Sequence, residues 1–71
     1  MSKKEDAVSI LPKYLQIIES DLMKLSHYLK DGVKVAIVAE DKALSEKLAS
    51  FYIRADELTK DFQKLTRKIV D

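Results

Sequence analysis

At 71 residues, with thirteen lysines and arginines against twelve aspartates and glutamates, the chain carries a net charge of +1. That balance argues against the broad electrostatic attraction that drives non-specific binding to nucleic acid or anionic membranes. With no cysteine and one histidine, neither disulfides nor a structural zinc reinforce it, and a lone core of this size supplies only about 3–5 kcal/mol; association with another chain is what remains.

The first eight residues are mostly polar and read as a frayed arm. Ser9 is the expected N-cap of a first helix over about 9–30, which places Pro12 in the opening turn, where its missing N–H has no helical acceptor to lose. A start near Asp6 instead sets Pro12 deeper and bends the helix. Leu11, Leu15, Ile18, Leu22, Leu25 and Leu29 then recur at alternating steps of four and three, the spacing of a seam that faces a partner helix along its length. Ile10, Tyr14, Ile17 and Tyr28 flank that seam and widen the apolar arc beyond what one neighbour covers.

Asp31-Gly32 comes just after the last leucine of this run, past Lys30, and reads as a turn, glycine being the usual helix stop. Next, Val33-Lys34-Val35-Ala36-Ile37-Val38 is rich in β-branched residues and favours a strand on propensity alone. No other segment offers it a partner strand, so helix is the reading. A second helix over about 33–70 carries the seam Leu44, Leu48, Phe51, Ala55, Leu58, Phe62, Leu65 and Ile69. Phe51 and Phe62 are expected in the core, with Ala55 between them leaving room for a bulky residue opposite. Extending that register upstream puts Asp41 in the seam. The helix therefore either carries a polar defect near Glu40 and Asp41 or breaks at 40–41 with Asp41 capping a fresh segment, and the unbroken helix is preferred. Asp56 with Lys60, Glu57 with Lys60 and Asp61 with Lys64 stand at helical spacing and mark a solvated face.

The expected architecture is a single all-α domain, an antiparallel helical hairpin. Doubling it about a two-fold axis gives a four-helix bundle, which covers both the seam and the flanking residues of the first helix. The longest apolar stretch, Val35 to Ala39, is far short of the roughly 18–20 residues of a membrane span, and no secretory apolar region follows the early lysines, so a cytoplasmic protein is expected.

Three groups of residues bear on function. Tyr14, Tyr28 and Tyr52 flank the seam, a place suited to interfaces apolar at the centre and wet at the rim. With Ile10 and Ile17 they are the expected protein contacts, whether with a second copy or with a helical partner. Lys60, Lys64, Arg67 and Lys68 form a basic ridge. On a hairpin dimer such a ridge is similar in architecture to that of the small plasmid-copy-number bundle proteins that grip paired RNA loops, and implies phosphate contacts. Ser26-His27-Tyr28-Leu29-Lys30-Asp31-Gly32 resembles the His-x-Leu-Lys-Gly stretch of histidine phosphotransfer domains at His27, Leu29 and Lys30, with Gly32 displaced by Asp31. In that family the glycine lies inside a helix and lets a phosphorylated partner approach. The resemblance implies His27 as phosphoacceptor, with Lys30 stabilising the phosphoryl charge.

The paired carboxylates Glu19 with Asp21, Glu40 with Asp41 and Asp56 with Glu57 lack the inward Glu-x-x-His arrangement of bundle metal sites, so no metal or cofactor is expected. No hydroxyl has a base in helical register beside it, so no enzyme is expected either. The functional expectation is a non-enzymatic interaction and oligomerisation module. The alternatives are a nucleic-acid-binding regulator using the ridge and a phosphotransfer protein using His27.

Overall fold

The computed structural model describes residues 3–70, with side chains as far as Lys68. Two helices, α1 (Lys3–Val38) and α2 (Lys42–Val70), pack against each other as a hairpin. No strand occurs among the described residues. The Cα trace measures 58 × 19 × 13 Å, so the molecule is one helix thick. Its radius of gyration is 16.7 Å, against about 11 Å for a compact domain of this length.

The connection lies at 39–41, not at the expected turn 31–32. Val33 to Val38 is the last part of α1 and not the start of the second helix. The run is helical, as expected over a strand, because Val33 and Ala36 fall on the side facing α2. What stops α1 is a Schellman arrangement built without glycine. Glu40 takes a left-handed conformation at φ 60, its N–H donates to the Ile37 carbonyl, and the Asp41 N–H donates to the Ala36 carbonyl at 3.0 Å. Asp41 then caps α2. Its Oδ1 accepts from the Leu44 N–H at 3.1 Å and its carbonyl accepts from Ser45 N–H, so the break at 40–41 is the outcome and the preferred unbroken helix is corrected. Asp41 is a cap at the surface and not a seam residue.

At the other end α1 starts at Lys3, upstream of the expected cap. The Ser9 hydroxyl donates back to the Asp6 carbonyl at 2.8 Å, and Pro12 lies inside the helix. There it deprives the Val8 carbonyl of its helical donor, at a place open to water. The expected arm at 1–8 is helical from Lys3; its first two residues lie outside the described residues.

Two hydrogen bonds fix the register between the helices: Ser26 Oγ to Thr59 Oγ1 and Thr66 Oγ1 to Glu19 Oε2, each 3.3 Å. Residues of α1 and α2 whose numbers add to about 85 therefore meet across the seam. By this count Val70, the last described residue of α2, lies opposite Leu15, and no described residue of α2 stands beside the first turns of α1. That accounts for the exposure of Val8, Ile10 and Leu11.

Three columns on each helix compete for the space between them. In α1 they are Leu11, Ile18, Leu25 and Gly32; then Leu15, Leu22, Leu29 and Ala36; then Glu19, Ser26 and Val33. In α2 they are Leu44, Phe51, Leu58 and Leu65; then Leu48, Ala55 and Phe62; then Ser45, Tyr52, Thr59 and Thr66. The expected seams joined the first and second columns. The structure encloses the second and third: Leu15, Ala36, Ala55, Thr59 and Thr66 are buried, with Leu22, Leu29, Val33, Leu48, Tyr52 and Phe62 half-buried. Ile69, expected in the seam, lies outside the described side chains. Two helices in contact enclose only two columns each, and the short connection, capped at both sides, sets the phase at which α2 leaves α1.

Candidate functional site

The consequence of that phase is an apolar face. Ile18, Leu25, Leu44, Phe51, Leu58 and Leu65, all expected in the seam, are 42–55% exposed, and Leu11, also expected there and exposed beyond the reach of α2, continues their line. An antiparallel hairpin has an approximate two-fold axis normal to its flat side, which maps the first column of α1 onto the first column of α2, so both columns lie on the same side of the molecule. On that side Ile18 stands near the level of Leu65, Leu25 near Leu58, and Gly32 near Phe51. The opposite side carries Gln16, Met23, Lys30 and Ile37 from α1 and Ala49, Asp56 and Gln63 from α2; its exposed large apolar side chains, Met23 and Ile37, stand fourteen residues apart with Lys30 between them.

Of the expected contact residues, Ile10, Tyr14, Ile17 and Tyr28 are exposed and extend the α1 edge of the apolar face outward. Tyr52 does not join them. It belongs to the third column of α2 and is half-buried, a placement that follows from the phase of α2. Beyond the first column of α2 the edge is charged instead, with Lys47, Arg54, Asp61 and Lys68. The Arg54 guanidinium lies 5.9 Å from the centre of the Phe51 ring one turn away, covering part of an aromatic side chain that would otherwise stand in water.

The enclosed polar column is a feature that the leucine spacing hides. Thr59 donates to the Ala55 carbonyl at 2.7 Å, so its single proton is committed and Ser26 is the donor of the bond between the two hydroxyls. Thr66 Oγ1 lies 2.9 Å from the Gln63 carbonyl and 3.3 Å from Glu19 Oε2, with one proton to offer. Glu19 is thus the carboxylate that turns towards the seam. The signal in the sequence is the repeat of Ser45, Tyr52, Thr59 and Thr66 at sevens, outweighed by the leucines beside it.

The basic ridge is diluted. Lys60 Nζ pairs with Asp56 Oδ2 at 3.1 Å. That hydrogen bond, then the charge of the same carboxylate, raises the Lys60 pKa above the ordinary lysine value. Lys64, Arg67 and Lys68 share the outer surface of α2 with Glu57 and Asp61. His27 is well exposed on α1, with Nε2 3.4 Å from Asp31 Oδ2 and its ring tilted against Tyr28. Gly32 is inside a helix after all, yet five residues on from His27 it lies on a different side of α1. The position one turn on from His27 belongs to Asp31, whose negative charge stands where a phosphoryl group would arrive. No group of three or more His, Cys, Asp or Glu side chains converges among the described residues. No helix among them is long and apolar enough to cross a membrane.

An open hollow along α1, lined in part by Gln16, Met23 and His27, has no opposite wall. Among the described residues, the apolar face is an extended surface with a single chemical character. No known protein family, curated protein or solved structure matches this chain.

Proposed function

We propose that this chain is a helical docking and oligomerisation module that acts by presenting its apolar face to another protein surface, without catalysis. One observation carries the reading: one apolar column from each helix, Leu11, Ile18 and Leu25 with Leu44, Phe51, Leu58 and Leu65, stands outside the hairpin on one side, while Ser26, Thr59 and Thr66 take places in the seam beside Leu15, Leu22, Leu29 and Leu48. A helix pair that folded only for itself would reverse that arrangement, since each buried leucine contributes about 1.5–3 kcal/mol. Tyr14 and Tyr28 at the edge suit a rim that is partly wet. The ridge of Lys60, Lys64, Arg67 and Lys68 gives weaker support to nucleic-acid binding, because Lys60 is engaged by Asp56 and acidic neighbours interleave.

The test is site-specific photo-crosslinking in the cell that makes the protein. A crosslinker at Phe51 or Leu58 should yield discrete adducts with protein, a second copy included, and one at outward Glu57 should not. Absence of protein adducts at both face positions, or equal capture at Glu57, would overturn the reading.

A further inference from the structure

We infer that the occupant of the apolar face is a second copy of this chain, turned about a two-fold axis parallel to the helices, so that α1 of each copy lies on α2 of the other and Phe51 of each seats against Gly32 of the other. This deepens the docking reading above and rests on it.

The area supports a large, permanent partner. The hairpin exposes 6043 Å², whereas a compact monomer of 8.1 kDa exposes about 4,500 Å². Covering the excess on both copies buries about 3,000 Å² in total, within the range of obligate homodimers. A second copy brings a face of the same dimensions and the same apolar character, as an isologous contact requires.

Gly32 supports the arrangement. It sits in the interior of α1 with helical backbone geometry, where glycine weakens a helix by roughly 1 kcal/mol relative to alanine. Nothing inside the hairpin asks for that cost: a Cβ added at Gly32 meets only Leu48 Cδ1, at an ordinary 3.6 Å. What glycine does is open a notch in the column Leu11, Ile18, Leu25, Gly32 on the exposed face. Rotation about an axis parallel to the helices leaves heights unchanged, so the second copy's α2 meets α1 with the same levels as α1's own partner helix. The side chain it brings to the notch is Phe51.

Charge at the rim selects the same axis. Beside the first column of α2 run Lys47, Arg54, Asp61 and Lys68, and beside that of α1 run Tyr14, Asp21, Tyr28 and Val35. With α1 on the second copy's α2, Lys68 comes within about a turn of Tyr14, Arg54 of Tyr28 and Lys47 of Val35, placing cations and their aliphatic stems over rings and apolar carbon. Asp21 and Asp61 meet as like charges, at a rim where water and salt screen them. The other face-to-face two-fold, normal to the helices, lays α2 on α2 and sets three cations against three. That arrangement is disfavoured.

The chain has no cysteine, so single cysteines report geometry cleanly. Sedimentation of the wild-type protein at about 100 µM should give twice the chain mass, and a monomer there, with or without binding to anionic vesicles, overturns the second-copy assignment. Crosslinking at Phe51 to a different protein would in that case still uphold the docking reading, so the two failures are distinguishable. Mixed Tyr28→Cys and Arg54→Cys chains should form a disulfide faster than Arg54→Cys chains alone, and the reverse order overturns the axis. Gly32→Leu, a good helix former, should weaken dimerisation by about a hundredfold through overpacking, and adding Phe51→Ala should recover about tenfold of it. Loss of association with no recovery in the double variant overturns the seat.

Discussion

The two broad sides of this hairpin differ more than its two helices do. Leu25 and Met23 lie two residues apart on α1 and are about equally exposed, yet Leu25 belongs to a continuous apolar surface with Leu58 and Ile18, while Met23 stands alone among Gln16, Lys30 and Asp56. Scattered apolar side chains on a surface are ordinary; a contiguous one-sided patch marks a contact. The comparison teaches that the packing information in this sequence is divided. Part of it closes the hairpin through a partly hydroxylated seam, and a second part is held on one outer side.

The largest effect is expected from breaking that asymmetry directly. Leu25→Glu combined with Leu58→Glu introduces four charges into a symmetric contact and removes four leucines from it, so self-association measured by sedimentation should weaken by at least about a thousandfold. Met23→Glu, on the other side, should leave it within about threefold. Equal loss from both variants would mean that the sides are not functionally distinct. Reading helicity by circular dichroism at high concentration separates loss of contact from loss of fold.

A smaller effect tests the seam itself. Thr59→Val removes the acceptor of Ser26 and should destabilise the hairpin by about 1 kcal/mol. The pair Ser26→Ala with Thr59→Val removes both hydroxyls and should recover most of that, because no half-buried group is left without its bond. If the double variant instead loses stability additively in a denaturant titration, the hydroxyl column supports the fold in some way other than this bond.

How much of this was legible in the residues varies with the physics involved. Two helices and the columns that carry leucine were readable, because a period of 3.5 survives any tertiary context. The turn was not: Asp31-Gly32 offers the usual stop signal, whereas Glu40 adopts the left-handed conformation without the residue that usually announces it. Nor was the choice between seams. Leu15 and Ala36 serve either pairing of columns, and what separates the two pairings is the phase set at Ala39–Asp41, a property of backbone geometry that hydrophobic spacing does not encode. The contact tyrosines divide accordingly, Tyr14 and Tyr28 remaining at the edge of the apolar face and Tyr52 moving into the seam.

That phase-setting role makes the connection the next place to intervene. Asp41→Ala removes the acceptor of the Leu44 N–H and should cost about 1 kcal/mol, lowering Tm by roughly 4–8 °C. Glu40→Gly relieves the left-handed strain and should raise stability by a few tenths to about 1 kcal/mol. A destabilising Glu40→Gly would show that the carboxylate, and not the backbone alone, holds the turn.

The smallest effect belongs to the polar side, at Asp56 and Lys60. Because the carboxylate raises the lysine pKa in the folded chain, the pair adds to stability below the ordinary lysine pKa, and that contribution is lost as pH rises through the elevated folded value. Both groups are substantially exposed, so water screens the pair and no change in Tm at neutral pH is expected on breaking it. The signature to seek is local. In a pH titration followed by NMR at Lys60 Nζ, Asp56→Asn should move the midpoint down towards that of an ordinary lysine. An unmoved midpoint would mean that Asp56 does not hold Lys60 in solution, returning that cation to the basic ridge and strengthening the nucleic-acid reading at the expense of a polar side that only solvates.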